Sequence, residues 1–431
     1  MRILLTGATG MIGGAIARAL LDQRHELVCA VRDPARLSLR RPGCHALAAD
    51  FAAVPPADWW RPHLEGIDAV VNAVGILREQ RGQTFDALHH RAPAELFRAC
   101  AAAGVRCVIQ VSALGADADA VSHYHRSKRA ADDVLRALPL RGAIVQPSLV
   151  FAPHGASAGL FMGLASAPLL LMPQRGGMPV QPVHLEDVVD GVLALLRRPP
   201  PGMETVAFTG SRPLALRDYL RLLRSQLRLG PGPWVGPLPA GLFVAGARLA
   251  SHLPGSVLDE ETAGMLLRGN AGPVEPFERL LGREPRDPAG FIEPALALAL
   301  RAQAVMVWAV PLLRVTLALL WIWTAVVSFG LYPVAQSYEL LARVGLHGAA
   351  ATGALYGAAA LDLALGVLTL AAPARWRPAV WVAQLVLVAG YTLLITVFLP
   401  EQWLHPYGPV SKNLPIMAAI ALLWALEPRR R

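Results

Sequence analysis

The chain has 431 residues, 54% of them hydrophobic, with 40 Lys and Arg against 31 Asp and Glu for a net charge of +9, and its mean hydropathy is +0.41. Residues 305–426 hold eight charged side chains (Arg314, Glu339, Arg343, Asp362, Arg375, Arg377, Glu401 and Lys412), about a third of the density in the rest of the chain. That distribution excludes a purely soluble protein, a disordered chain and a small disulfide scaffold, and describes a globular part joined to a lipid-soluble part.

The first 150 residues alternate strand and helix signals. Strands are expected at Arg2–Thr6, Glu26–Val31, Ala46–Ala49, Ala69–Ala73, Cys107–Val111 and Gly142–Val145. Helices are expected at Met11–Leu21, Pro93–Ala103 and Lys128–Ala137. Strands alternating with helices predict an α/β fold, a Rossmann-like doubly wound parallel sheet covered on both faces. Beyond Phe151 the pattern loosens into a helix at Glu186–Leu196, a strand at Thr205–Phe208 and an amphipathic helix at Leu216–Leu227. A breaker-rich stretch from Gly230 to Pro239 then closes a first domain, residues 1–230. Residues 231–300 read as short helices that form a substrate lid or an approach to a membrane.

Four apolar segments follow within a third domain, 301–431, near 305–329, 349–371, 379–398 and 412–426. A helix needs roughly 20 apolar residues to cross a bilayer, so the first three suffice and the fourth is short. Arg375 and Arg377 lie between the second and third segments, and Arg429-Arg430-Arg431 follows the fourth. The positive-inside bias then predicts four passes in the cytoplasmic (inner) membrane, with both termini and the globular part in the cytoplasm. Trp321, Trp323, Trp376, Trp381, Trp403 and Trp424 read as interfacial anchors. Arg314 and Asp362, costly inside a bilayer, are expected to pair within the bundle, locking the helices or lining a site for a lipid-soluble substrate such as a quinone. The start of the chain offers no apolar signal region. The four cysteines, Cys29, Cys44, Cys100 and Cys107, lack metal-ligand spacing, so buried thiols and no metal are expected. The scattered arginines lack an aromatic-rich basic stripe and suit an anionic lipid leaflet better than nucleic acid.

Thr6-Gly7-Ala8-Thr9-Gly10-Met11-Ile12-Gly13 follows a strand and opens a helix. Gly7 and Gly10 permit a tight turn and a close approach to a pyrophosphate, Gly13 permits close packing, and the helix N-terminus supplies amide donors. The second strand ends at Arg32, where an arginine suits the 2′-phosphate of NADP; Arg36 stands ready to assist, and Asp33 keeps NAD open as the less favoured cofactor. Tyr124-His125-Arg126-Ser127-Lys128 spaces a tyrosine and a lysine one helical turn apart, where the ammonium is expected to lower the phenol's pKa. Ser112, ending the fifth strand, could hold a substrate carbonyl. His123 and His125 read as solvated neighbours of Tyr124. Lys128 and Lys412 are the only lysines, and Asn72, Asn270 and Asn413 the only asparagines, in an arginine-dominated chain, which makes them candidates for positions where a substitute would fail.

On these residues, together with Asp50-Phe51, Asn72-Ala73-Val74-Gly75, Val111–Ala116, Pro147–Phe151 and Pro182–Asp187, residues 1–300 resemble the extended or atypical short-chain dehydrogenases/reductases. Asn72–Leu77 with Val111–Ala116 looks like the nucleotide-binding accessory subunit of respiratory complex I and its bacterial relatives. The resemblance implies that Asp50 and Phe51 sit at the adenine, that Asn72 to Gly75 and Pro147 line the dinucleotide, and that Lys128 meets the nicotinamide ribose. Tyr124 would be the proton donor and Ser112 its helper. It also leaves two readings open, an NAD(P)-dependent oxidoreductase acting on a carbonyl or quinone-like substrate, and a non-catalytic NADPH-binding assembly or redox-sensing subunit of a membrane complex. Residues 305–426 resemble the DoxX-like four-helix membrane proteins through Arg314, Trp321-Ile322-Trp323-Thr324, Asp362 and His405–Asn413.

Overall fold

A computed structural model of the chain describes residues 1–35, 37, 43–251 and 259–427; Arg36 and Arg429–Arg431, for which the sequence suggests roles, lie outside them. Two compact units divide the chain, Met1–Val305 and Met306–Arg431.

The first unit is built on β1 (Arg2–Thr6), β2 (Glu26–Val31), β3 (Cys44–Ala48), β4 (Ala69–Asn72), β5 (Cys107–Val111), β6 (Gly142–Pro147) and β7 (Met203–Phe208). They form one sheet in the order β7-β6-β5-β4-β1-β2-β3, with every pair parallel. Near-continuous apolar strands belong in such a sheet, because helices cover both of its faces. On one face α1 (Met11–Asp22) and α4 (Leu185–Arg197) bring Ile16, Leu20, Val188 and Val192 onto Ile3, Leu5 and Val71. On the other, α2 (Ala92–Ala103) and α3 (His123–Ala137) bring Leu96, Phe97, Ala131 and Leu135 onto Leu4, Val70, Val108 and Ile144. The chain crosses from one side of β1 to the other between β3 and β4, a switch point where loops diverge and leave a crevice for a ligand.

Most expected elements appear within a few residues of their predicted limits, and β7 adds the expected Thr205–Phe208 strand to the sheet beside β6. One shift matters for the site. Helix α3 begins at His123 rather than at Lys128, because the Ser122 hydroxyl caps it by accepting the His125 N–H at 3.1 Å. A third cluster joins α5 (Leu216–Gln226) to residues before and after it, including Phe161, Met162, Phe291 and Ile292. Two further helices, α6 (Ala240–Ala250) and α7 (Glu260–Arg268), pack on each other.

The second unit is helical. It contains most of α8 (Ala297–Val326), then α9 (Val334–Arg343), α10 (Gly348–Ala371), α11 (Arg377–Phe398) and α12 (Asn413–Leu426). The stretches Ala297–Leu331, Gly348–Ala371 and Arg377–Phe398 are long and apolar enough to cross a membrane. Helix α12 has 14 residues, so it rises about 21 Å and falls short of a ~30 Å hydrocarbon core. Helix α9 has no counterpart in the expected elements, since Gln336, Glu339 and Arg343 interrupt its apolar pattern.

Two expectations for this unit are corrected. Arg314 pairs with Glu427, whose other oxygen lies 3.9 Å from Arg377, and not with Asp362. The Arg377 guanidinium also donates to the carbonyl of Ala372. Asp362 precedes Ala372 by ten residues, so about 15 Å of helix separates it from the level of the ion pair. Trp321 and Trp381 are not interfacial anchors. Both are buried, Trp321 donating to Gln384 at 3.0 Å and Trp381 lying under the Arg314 guanidinium with its indole N–H on Glu427 at 3.3 Å. Their indoles find partners inside the bundle, while Trp323, Trp376, Trp403 and Trp424 face outward.

Candidate nucleotide and catalytic site

The loop from Thr6 to Gly13 joins the carboxyl end of β1 to the amino end of α1, at the switch point. Gly7 holds φ +72°, and a Cβ there would run into the backbone of Ala73 and Val74. A Cβ on Gly13 would strike the carbonyl of Gly7. Between them, the Gly10 N–H donates to Gly7 O at 2.9 Å, and no side chain caps the helix at Gly10. The result is a bare turn with Thr9, Gly10 and Met11 exposed, Ile12 half-buried, and first-turn amides open to an anion. Such a cradle fits a pyrophosphate.

Ala73, Val74 and Gly75 continue from β4 beside this loop and are partly exposed. Asn72 behaves differently, because its side chain is wholly buried. Its carbonyl oxygen accepts from the Thr6 hydroxyl and its amide donates to Gln110 at 2.6 Å, which ties together the ends of β1, β4 and β5. Arg32 is exposed just after β2, and Asp50, exposed after β3, accepts the Ala52 N–H at 3.0 Å. Phe51 is buried edge-on against Trp60 at 5.9 Å. Pro147 ends β6, buried, with its carbonyl accepting the Leu114 N–H at 2.9 Å.

Helix α3 carries the other half of the site. Tyr124 is half-buried against the rings of Phe85, His89 and His125. Lys128, one turn on, is buried and donates to the carbonyls of Val74 at 3.0 Å and Val111 at 3.1 Å. It lies so close beneath Gly75 that a Cβ there would stand 3.1 Å from its Nζ. Ser112 donates to the wholly buried Asp132 at 2.5 Å, and the other oxygen of that carboxyl has no partner among the described residues.

Burial governs the electrostatics. It pushes Lys128 down to about 8, with Asp132 pulling the other way. It pushes the Asp132 carboxyl up to about 6, against Ser112 and Lys128. The Tyr124 phenol, which the sequence suggests is lowered, is instead raised to about 12 by burial and by Asp132. The physical reason is that burial disfavours the phenolate and the Asp132 carboxylate adds to that, while the ammonium is held by two backbone carbonyls.

His125 is also corrected, being buried with its ring on Ser122 at 3.0 Å, whereas His123 is exposed. Above the site, the His123 N–H donates to Glu261 at 2.7 Å, and Arg268 grips both oxygens of Asp117 at 2.9 and 3.0 Å and the Gly115 carbonyl at 3.2 Å. Helix α7 thus clamps the loop after β5 to the start of α3.

Two residues escape sequence reasoning. Asp132 was findable, standing four residues after Lys128 on the same helix face. His89 gave no signal. It is buried with its pKa pushed down to about 2 by burial and Lys128, accepts the Ile76 N–H at 2.9 Å, and bonds Ser127 at 3.0 Å. Ser127 donates in turn to the Tyr124 carbonyl at 2.8 Å, so His89 couples the Ala73–Ile76 loop to α3.

Known proteins share both halves of this architecture. A family model described as NAD(P)H-binding matches residues 7–157, and one described as the DoxX-like family matches residues 318–421. The chain is 28% identical over 250 residues to a ceramide reductase of Caulobacter vibrioides, covering 56% of this chain and 77% of that protein. It is 23% identical over 154 residues to the mitochondrial NADH dehydrogenase [ubiquinone] 1 alpha subcomplex subunit 9 of Dictyostelium discoideum, covering 36% of this chain and 43% of that one. A nucleoside-diphosphate-sugar epimerase from Staphylococcus aureus shares the fold at a TM-score of 0.53 and 18% identity, covering 68% of this chain and 99% of that one.

Proposed function

We propose that this chain, an NAD(P)-binding Rossmann domain of short-chain dehydrogenase/reductase type followed by a DoxX-like membrane domain, is a membrane-anchored oxidoreductase acting on an apolar carbonyl or quinone-like substrate. The single observation that carries this reading is the placement of Tyr124 and Lys128 on one helix face, with the ammonium beneath the Val74–Gly75 loop. Bound nicotinamide would supply or accept the hydride. The Thr6–Gly13 loop would hold the pyrophosphate and Arg32 the 2′-phosphate, favouring NADP over NAD. Asp50 and Phe51 would meet the adenine, and Lys128 the ribose. Tyr124, protonated across the neutral range by its pKa of about 12, is suited to donate to a carbonyl oxygen, which favours reduction. Ser112, oriented by Asp132, would steady that oxygen. The likeness to a protein named a ceramide reductase supports a lipid-sized substrate. The arginine-rich loop and tail support four passes, with the nucleotide domain and both termini cytoplasmic.

A second reading rests on the likeness to a respiratory-complex subunit and on the tethering of Lys128 to two carbonyls, which serves nucleotide retention as well as chemistry. It makes the chain an NADPH-holding assembly or redox-sensing subunit of a respiratory or quinone-synthesis complex. Detergent-purified protein loaded with NADPH and given a membrane lipid extract separates the two. Nicotinamide consumption that disappears in Tyr124→Phe supports the enzyme. Tight binding in both proteins without consumption supports the subunit.

A further inference from the structure

The first unit bears an apolar face built from elements outside the nucleotide loop. Strand Leu169–Met172 pairs in parallel with Trp234–Pro237, and the pleat turns Leu170 and Met172 inward and Leu169 and Leu171 outward. Trp234 is also outward, as are Leu242 and Leu249 two turns apart on α6. These five side chains are between 50% and 75% exposed. The turn Pro173–Gly176, with Gln174 and Arg175 exposed, packs against both Trp234–Pro237 and α6, which sets the two apolar patches side by side. Between Leu242 and Leu249 the exposed positions Ala245 and Gly246 add no polar side chain. Residues 163–184 and 230–251, which supply the whole face, contain no Asp or Glu and two arginines, Arg175 and Arg248.

Single exposed leucines need no explanation, but apolar patches set side by side mark an interaction surface. We propose that this face docks on the bilayer itself, with Leu169, Leu171, Trp234, Leu242 and Leu249 resting at the headgroup–acyl boundary of an anionic leaflet. Two observations select lipid over a protein partner. The chain carries its own apolar helices from Ala297 onward, so a bilayer is covalently within reach. The face carries basic charge only, which complements anionic lipid. Because α7 packs on α6 and clamps the loop beside Tyr124, docking would set the mouth of the site against lipid. That consequence rests on the oxidoreductase reading; the docking itself does not require turnover.

Spin labels placed by Leu242→Cys and Leu249→Cys in the full chain, reconstituted into phosphatidylglycerol/phosphatidylethanolamine vesicles, test the proposal. The exposed polar position Glu204→Cys and the outward membrane-helix position Val386→Cys serve as references. The ratio of oxygen to nickel-chelate accessibility at positions 242 and 249 should exceed that at 204 roughly fivefold, approaching that at 386. Ratios equal to the Glu204→Cys value would overturn the proposal, as would shielding that appears only after membrane proteins are added. Trp234→Phe gives a second measurement in an unlabelled protein, since it should remove a component of fluorescence quenching by brominated lipid. An unchanged quenching curve counts against docking. Neither readout needs catalysis, so failure of the enzyme reading leaves both tests intact.

Discussion

In the first unit one group of buried polar side chains gathers at the carboxyl edge of the sheet. Thr6, Asn72 and Gln110 tie three strand ends together, with Ser112, Lys128 and Asp132 beside them. In the second unit, Trp321, Gln384 and Thr369 form a chain across the helices, with Gln384 donating to Thr369 at 2.7 Å, and Arg314 meets Glu427 at one end. The same low dielectric surrounds both sets, yet their meanings differ. A water-soluble core assembles by apolar burial, so a polar group inside it is a cost that function or register must justify. Helices in lipid gain little from apolar burial, and hydrogen bonds and close packing hold them together. A buried polar cluster therefore signals a site more strongly in the first unit than in the second.

That contrast can be broken by mutation. The largest expected effect is at Tyr124→Phe, which should lower turnover about 10³-fold while leaving NADPH affinity nearly unchanged, as read by nicotinamide absorbance and by titration calorimetry. Gly13→Val comes next. Its side chain has no room against the Gly7 carbonyl, and an overpacking cost of about 2 kcal/mol should weaken NADPH binding roughly 30-fold. Equal affinity in that variant would place the nucleotide elsewhere.

In the bundle, Arg314→Gln should lower stability in detergent by about 1–2 kcal/mol, visible as a lower Tm, with NADPH affinity unaltered. A matching loss of turnover beyond the loss of folded protein would give the bundle a part in the chemistry and undo the contrast.

His89 supplies a pH test in the first unit. Its imidazole titrates near 6.5 in the unfolded chain and near 2 in the folded one. Between those values only the unfolded chain holds the proton, so stability should fall as pH drops below about 6.5, by up to about 1.4 kcal/mol per pH unit. Urea titrations between pH 7 and pH 4 should show a shallower decline in His89→Gln than in the wild type. Parallel curves would mean that the ring is not held neutral. The smallest effect belongs to Gln384→Leu, about 0.6 kcal/mol, read as a slight shift in Tm.

Much of this molecule is legible along the chain. The glycine loop, the parallel strands, the Tyr124–Lys128 spacing and the three long apolar helices all follow from local pattern, because period, turn chemistry and hydropathy act over a few residues. The same local rules make Asp132 visible one turn after Lys128. They fail where partners are remote. Nothing near His89 in the chain announces the Ile76 amide or Ser127, and Glu427 lies 113 positions from the arginine it neutralises.

The amino-acid sequence by itself thus determines the fold class, the existence of a dinucleotide cradle and the division into two materials. Only the tertiary structure decides which groups are charged and which are paired. It raises Tyr124 by burying it near Asp132, commits Lys128 to two carbonyls, turns Trp321 and Trp381 inward, and gives Arg314 to Glu427 in place of Asp362. The physical reason is common to all four: desolvation and ion pairing depend on distances set by long-range packing, which no window along the chain contains.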